Sequence, residues 1–537
     1  MKYIIVTGGS LSGIGKGVVA SSTGVILQSR GCKVTFIKID PYLNIDAGTL
    51  TPFDHGEVFV LRDGTEVDLD LGNYERFLDI DLSNEHCITT GKIYSEVIRM
   101  ERKGDYMGKT VQIIPHVTNM ILNKIMRAAE IPVKNKNGIL SPEICIVELG
   151  GTIGDIESNV FVEALRQLRI KVGNNNFMVI SVEHIPELIN GELKTKPVQH
   201  STRTAISLGI KPDIIVTRCN KTIDDVIRNK ISNFCEVGLN NIYQLSDLSS
   251  VYEAPSNLDS QGYYMSISNL LKLNKKIESF DVSKHFSILL NKYEKTVRIG
   301  IVGKYICNSD CYLSISNALR FSGAHLECNV DLVWIESSEL EEGYKFDMVK
   351  ECHAILIPGG FGGRGVEGKI LAIKHARENN IPILGICLGF QLMVIEFCRN
   401  VIGLPSANSE EFDESAEHKV ITRIPELSSD GIGGTLRLGD KEVYLLNGKV
   451  KDAYGGAELI MERHRHRYEV NPQYVELLEK NGLRFVGKGD DGLRMEICEF
   501  DDHPFMVAVQ YHPEFNARPK NPQCLFTALI KNALNNF

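Results

Sequence analysis

Gly385-Ile386-Cys387-Leu388-Gly389-Phe390-Gln391 joins one apolar run, Ile381 to Ile386, to a second, Leu388 to Phe397. The first, with Pro382 near its start, reads as a buried strand, and the second as an amphipathic helix. A strand that turns abruptly into a helix, with a glycine on either side of the turning residue, is a nucleophile elbow. The glycines let neighbouring backbone pack against a residue held in a sharp turn. That residue is Cys387. At a helix N-terminus its thiolate lies near the positive end of the backbone dipoles, which favours ionisation. Most of the 13 cysteines are expected to be small apolar residues of the core, and the glycine frame sets Cys387 apart from them.

Downstream, Val507-Ala508-Val509-Gln510-Tyr511-His512-Pro513-Glu514 reads as a strand that delivers His512 and Glu514 at its end. A thiol nucleophile needs a base to take its proton and a third group to orient that base. The order Cys…His-x-Glu supplies all three types. Upstream, Pro358-Gly359-Gly360-Phe361-Gly362 is a glycine turn after the strand-like His353 to Ile357. Together the G-x-C-x-G-x-Q and H-P-E patterns resemble the class I glutamine amidotransferases. The resemblance implies that the glycine turn lends a backbone N–H to an oxyanion hole. It also implies hydrolysis of the glutamine side-chain amide through a thioester, with release of ammonia.

At 537 residues the chain is too long for one core and is expected to form two or more domains. Hydrophobic content of 43% and charged content of 24% are those of an ordinary globular protein. The 59 basic against 68 acidic residues, a net charge of −9, argue against general nucleic-acid binding. No apolar run approaches the roughly 18 residues of a membrane span, so no membrane partner is expected. Met1 to Gly8 is too short for a secretory core and runs into a glycine-rich loop, so it reads as a first strand. Scattered cysteines without a C-x-x-C pair fit a reducing, cytoplasmic setting.

Tyr3 to Thr7 and Lys33 to Ile39 read as strands. Between them lies Gly8-Gly9-Ser10-Leu11-Ser12-Gly13-Ile14-Gly15-Lys16-Gly17, then a helical Val18 to Ser29. Strand, glycine loop and helix make a phosphate cradle of backbone N–H groups, to which Lys16 adds a point charge. The loop departs from G-x-x-x-x-G-K-[ST]: Ser10 stands where the first glycine should be. Gly17 replaces the hydroxyl residue that would hold Mg²⁺, so metal-binding carboxylates must come from elsewhere. Val67-Asp68-Leu69-Asp70-Leu71-Gly72 reads as an alternating segment with both aspartates on one side. Glu148 closes the strand-like Glu143 to Leu149. Asp70 and Glu148 suit Mg²⁺, which takes one or two carboxylates besides phosphate oxygens and water. Further strand patterns at Phe177 to Val182, Asp213 to Thr217 and Asn241 to Leu245 alternate with helical ones, an α/β series with a mostly parallel sheet.

The glycine loop joins Lys38-Ile39-Asp40-Pro41-Tyr42-Leu43-Asn44, His55 to Val60, Asp68 to Phe77, Glu148 to Glu157, Lys194 to Gln199 and Glu462 to Asn471. Together they resemble the CTP synthase family over nearly the whole chain. The resemblance implies ATP-dependent amination of UTP to CTP through a 4-phosphorylated UTP, a carbon–nitrogen ligase fed with ammonia from glutamine. It implies ATP at Ser12, Gly13, Ile14, Gly15, Lys16, Gly17, Lys38 and Asp70, with Mg²⁺ on Asp70 and Glu148. UTP and product CTP would share Ser12, Asp155, Ile156, Glu157, Lys194, Thr195, Lys196, Pro197, Val198, Gln199 and Lys230. L-Glutamine would meet Gly360, Leu388, Gly389, Phe390, Gln391, Glu411 and Arg467, and the triad would be Cys387, His512 and Glu514. Arg364, Gly365 and Glu367 match a lid answering to the activator GTP, and Pro52, His55 and Val58 the mouth of an ammonia passage. Val198 departs from the usual threonine, removing a hydroxyl beside the nucleotide site; Phe390 replaces a methionine at a packed position. Homotetramers, dimers of dimers, and filaments are what family members form.

The expected architecture is therefore α/β, with two doubly wound domains. Residues 1–272 would form a P-loop-like amidoligase domain, 273–296 a linker, and 297–537 a class I glutamine amidotransferase domain. Two alternatives stand beside this reading. One is another glutamine-dependent ATP ligase. The other is a P-loop assembly switch protein, which would leave the Cys-His-Glu set without a use.

Overall fold

In the computed structural model, residues 1–135, 138–273, 282–306, 308–427 and 433–535 are described. They fall into two compact units, Met1–Ala47 with Asp70–Leu290, and Gly48–Leu69 with Asn291–Phe537. Of the expected linker 273–296, residues 274–281 lie outside the described residues; Ser287–Leu290 is a short helix.

In the first unit the strands are β1 (Lys2–Gly8), β2 (Val34–Asp40), β3 (Cys87–Thr89), β4 (Ile144–Leu149), β5 (Phe177–His184), β6 (Ile214–Arg218) and β7 (Ile242–Gln244). They lie in the order β7-β6-β5-β1-β4-β2-β3, every pair parallel. Their near-continuous apolar runs follow from burial on both faces, as helices cover a parallel sheet on each side. The register sets Lys38 of β2 beside Glu148 of β4, and Glu148 beside Val6 of β1. These residues stand at the carboxyl ends of the strands, where open α/β sheets bind ligands. One expectation fails here. The segment around Asp70 is not an alternating strand: β pairing ends at Val67, and Leu69–Leu78 is a helix with Asp70 in its first turn.

The second unit carries β8 (Lys295–Gly303), β9 (Cys328–Glu336), β10 (Ala354–Ile357), β11 (Ile383–Ile386), β12 (Arg437–Leu445), β13 (Leu459–His466), β14 (Leu483–Gly489), β15 (Arg494–Phe500) and β16 (Met506–Val509). Their order is β9-β8-β10-β11-β16-β15-β14-β12-β13, parallel from β9 to β16 and antiparallel beyond. Ile386 is registered with Val509, so the ends of β11 and β16 deliver Cys387 and Gln510–His512 side by side. The helix Leu388–Phe397 is not amphipathic, since every residue in it is buried. A helix apolar all round belongs inside a core, and this one packs among the ridge residues of helix Val366–Glu378, β11 and β16.

Candidate active sites

In the second unit Cys387 has φ 54° and ψ −100°, backbone that a non-glycine residue holds only when its surroundings enforce it. Its N–H donates to the Val509 carbonyl at 2.7 Å, tying the turn to β16. The two glycines are required by close approach. A Cβ on Gly385 would come 2.9 Å from the backbone of Gly389, and one on Gly389 would overlap the Ile357 carbonyl oxygen. Helix Leu388–Phe397 thus begins at the nucleophile with no side-chain cap.

His512 Nδ1 and Glu514 Oε1 are 2.7 Å apart, both side chains buried. The ring's other nitrogen, Nε2, is buried and has no hydrogen-bond partner within bonding geometry among the described residues. A Cβ placed on Gly359 would lie 3.7 Å from that Nε2 and 3.6 Å from the Cys387 Cβ, so Gly359 sits between base and nucleophile without filling the gap. Burial works against the charged imidazole, but the Glu514 carboxylate and the Cys387 sulfur overcome it and hold the pKa up at about 10. Cys387 Sγ points its proton at the Arg465 carbonyl, 3.6 Å away.

A cavity of about 480 Å³ opens over this group, lined by Gly359, Gly360, Glu411, Arg467 and Tyr468 as well as the triad. Pro52 and Val58 line it too, whereas His55 is exposed at the end of the helix Pro52–His55 and is not among the lining residues. Two lysines that the sequence did not single out hold the glycine turn from beneath. Lys369, fully buried, donates to the Pro358 carbonyl at 2.8 Å, and Lys304 donates to the carbonyls of Phe361 and Gly362. Burial lowers both, Lys304 to about 8. Glu411 accepts the Gly362 N–H at 2.7 Å.

In the first unit the loop after β1 ends at Gly15, whose φ of 93° turns the chain into the helix Lys16–Ser29 without a side-chain cap. Uncapped N–H groups at a helix start are an anion site. Lys16 is buried, donates to Gly151 O at 2.8 Å, and has its pKa lowered by burial. Lys38 pairs with Asp70, with Glu148 at 3.2 Å and with Asp40 at 3.5 Å. Tyr74 donates to Glu148. Burial raises Glu148, and nearby Asp70 adds to the rise while Lys38 opposes it. Asp40, buried like Glu148, is a third carboxylate of this group that the sequence did not flag; only its place at the end of β2 could have suggested it. Gly17 explains itself here: a Cβ would stand 2.5 Å from Asp70 Oδ1 and 3.6 Å from Glu148 Oε2.

Comparison with known proteins adds to this geometry. The family described as "CTP synthase N-terminus" matches residues 2–273, and "Glutamine amidotransferase class-I" matches residues 308–532. A CTP synthase of Neurospora crassa is 47% identical over 99% of this chain and 96% of its own. The chain belongs to the CTP synthase family. CTP synthase 1 of Homo sapiens is 48% identical over 99% of this chain and 92% of its own. The solved glutaminase domain of Trypanosoma brucei CTPS with bound acivicin is 36% identical, covering 44% of this chain and 94% of its own with a TM-score of 0.42. Neither the other-ligase nor the assembly-switch alternative is favoured by these matches.

The residues that the CTP synthase resemblance assigns to nucleotides all belong to the first unit. Ser12, Gly13 and Ile14 line a cavity of about 340 Å³ with His184, Arg218 and Asp247. Thr195 is buried at the start of the helix Lys196–Ser207 and accepts from Gln199 at 3.0 Å. Lys194 pairs with Glu192 at 2.5 Å, Lys196 lies over the Phe234 ring, and Lys230, Ile156 and Glu157 are exposed. Asp155 accepts the Thr152 N–H at 2.7 Å. Val198 is fully buried against Ile185, Leu193 and Ile215, so its missing hydroxyl is a matter of core packing. Phe390 is fully buried and meets Phe485 edge-on. In the second unit Arg364 pairs with Glu336 at 2.8 Å, Gly365 starts the helix Val366–Glu378, and Glu367 pairs with Arg399 at 2.9 Å. His464, His466 and Glu496 bring ligand-capable atoms within 4.8 Å of one another. Arg437, 2.8 Å from His464 and 3.0 Å from Glu496, already supplies the positive charge there, so this cluster reads as core electrostatics.

Proposed function

We propose that this chain aminates UTP to CTP at the expense of ATP, using ammonia that it releases from L-glutamine. The observation that carries the reading is the strained Cys387 beside the His512–Glu514 pair, in a chain whose first half matches the CTP synthase N-terminus. His512 takes the thiol proton, held in position by Glu514, and the sulfur attacks the glutamine amide carbon. The resulting oxyanion meets the N–H groups of the glycine turn, ammonia leaves, and water cleaves the thioester to glutamate. In the first unit Lys16 and Lys38 offset charge as the γ-phosphoryl of ATP passes to the uracil 4-oxygen. Ammonia then adds at that carbon and phosphate leaves. Such transfers rest mainly on positioning and electrostatics.

Mg²⁺ fits Asp70 and Glu148, two carboxylates that face the first turn of the helix Lys16–Ser29, where a side chain at position 17 would strike Asp70; when bound it would offset phosphate charge. The reading extends to Ser12, Asp155, Ile156, Glu157, Lys194, Thr195, Lys196, Pro197, Gln199 and Lys230 as the UTP and CTP contacts, while Val198 serves the core. CTP thereby inhibits by competing with UTP. GTP activates through Arg364, Gly365 and Glu367, and Pro52, His55 and Val58 lead ammonia onward. The functional division is residues 1–272, apart from the excursion 48–69, for synthesis and 297–537 for glutamine hydrolysis, joined by 273–296, in a cytoplasmic homotetramer.

The test is one variant and two nitrogen sources. Cys387→Ala is expected to abolish CTP formation from glutamine while synthesis from concentrated ammonium salt stays near wild type. The loss should far exceed the roughly 10²–10³-fold cost of deleting a single oxyanion-hole donor. Retained glutamine use would remove Cys387 from the chemistry, and loss of both activities in a folded variant would refute two separate sites.

A further inference from the structure

Gln510, on β16's continuation two residues before His512, is a polar side chain that the triad does not use, and it is fully buried. Its Nε2 lies 3.7 Å from Cys387 Sγ, donating, and its Oε1 accepts from Gln391 Nε2 at 3.3 Å. Gln391 Nε2 also donates to the Tyr468 carbonyl at 3.0 Å. That carbonyl decides the whole arrangement. A backbone carbonyl only accepts, so the Gln391 amide must present NH₂ toward it and toward Gln510. Gln510 must then turn its oxygen to Gln391 and its NH₂ to the sulfur. The sulfur thus lies between an acceptor, the Arg465 carbonyl at 3.6 Å, and a donor with its direction imposed from two residues away. An acceptor suits the thiol, and a donor suits the thiolate.

We infer that Gln510 donates a hydrogen bond to the ionised sulfur of Cys387, and that Gln391 is a positioning residue that imposes the amide orientation this requires. The inference rests on the reading of Cys387 as the glutaminase nucleophile and adds a thiolate donor to it. The charged groups that act on the sulfur or line the cavity with it include His512 and Glu514 beyond β16, Arg465 and Arg467 on and after β13, Glu57, Glu411, and Lys369 of the helix Val366–Glu378, with the phenols of Tyr305, Tyr312 and Tyr468. A neutral-for-neutral change at position 510 leaves all of them in place.

The experiment follows the rate of Cys387 alkylation by iodoacetamide against pH in the full-length chain, read by peptide mass, with folding checked by circular dichroism. Gln510→Met is expected to move the inflection upward by about one pH unit, about a tenfold slower reaction near neutrality. Gln391→Met, which leaves the donor but frees its orientation, should move it the same way by less. An inflection coincident with wild type in folded Gln510→Met overturns the inference, as does coincidence in Gln391→Met where the first variant does not fold. A wild-type Cys387 no more reactive than the buried cysteines would overturn the nucleophile assignment and this inference with it. A reactive Cys387 with unshifted variants would overturn this inference alone.

Discussion

The two sites keep their charges in opposite ways. Around Cys387 the polar groups are paired within the protein: imidazole to carboxylate at 2.7 Å, glycine turn to two buried lysines, thiol to a carbonyl. Around Lys16 the protein instead crowds two lysines and three carboxylates, Asp40, Glu148 and the half-buried Asp70, into one patch, where burial and the neighbouring charges shift the protonation of Lys16, Asp40 and Glu148. The first is a site assembled before its substrate arrives. The second has its charges set out for phosphates and a cation to complete. The contrast teaches that a nucleophile needs one strained residue with a fixed partner, whereas phosphoryl transfer needs a charge balance that only the ligand closes.

The sharpest way to break the contrast is at the base. His512→Ala should lower glutamine-dependent synthesis by roughly 10⁴-fold or more while ammonia-dependent synthesis is unaffected, measured by CTP absorbance. An equal fall with both nitrogen sources would show that the two sites are not separable. Next, Lys16→Ala should abolish synthesis from either nitrogen source, because phosphorylation precedes amination; near-normal ammonia-dependent turnover would clear this lysine of a role. A matched pair of glycine substitutions sharpens the comparison further. Gly389→Ala should disable glutamine use alone, since its Cβ would strike the Ile357 carbonyl. Gly17→Ala should depress both activities by about 10–100-fold and raise the Mg²⁺ requirement, since its Cβ would press on Asp70. A Mg²⁺ titration unchanged from wild type would sink the latter.

The smallest effect is one of stability. Glu183, buried under the first unit's glycine loop and bonded to Ser181 and Ser201, is pushed up to about 7 by desolvation. The folded protein therefore holds a proton that the unfolded chain has released. The associated stability is present below about pH 4.5 and lost as pH rises through about 7, at most about 3 kcal/mol. Glu183→Gln should flatten the dependence of Tm on pH over that window; an unchanged slope would place the titration elsewhere.

What could be read in advance follows the same contrast. The glutaminase elbow is contiguous, so Gly385, Cys387 and Gly389 announce themselves, and His512 and Glu514 follow from one strand end. The glycine loop, six of the seven strands of the first sheet, and β10, β11 and β16 of the second are equally legible from apolar runs, whereas the three-residue β3, β9 and the antiparallel β12 to β15 are not. Asp40, Lys369 and Gln510 are not either, because each gains its meaning from residues over 100 positions away or from burial that no local pattern reveals. The helix at Asp70 is hidden in the sequence because Val67 to Gly72 alternates just where a two-residue strand gives way to a helix. The UTP and CTP contacts rest on resemblance alone.

The excursion of residues 48–69 has a practical corollary for dissecting the gene. This short hairpin belongs to the second unit although it is translated more than two hundred residues ahead of the rest. Its Phe59 stacks edge-on against Phe515, its Val60 carbonyl accepts from Arg463, and its Glu66 pairs with Arg465 at 2.7 Å. Arg465 is the residue whose carbonyl receives the Cys387 thiol. A fragment beginning at residue 291 would thus carry the whole triad yet lack the piece that steadies one wall of it. Supplying residues 48–69 as a free peptide should restore part of the lost glutaminase rate by complementation.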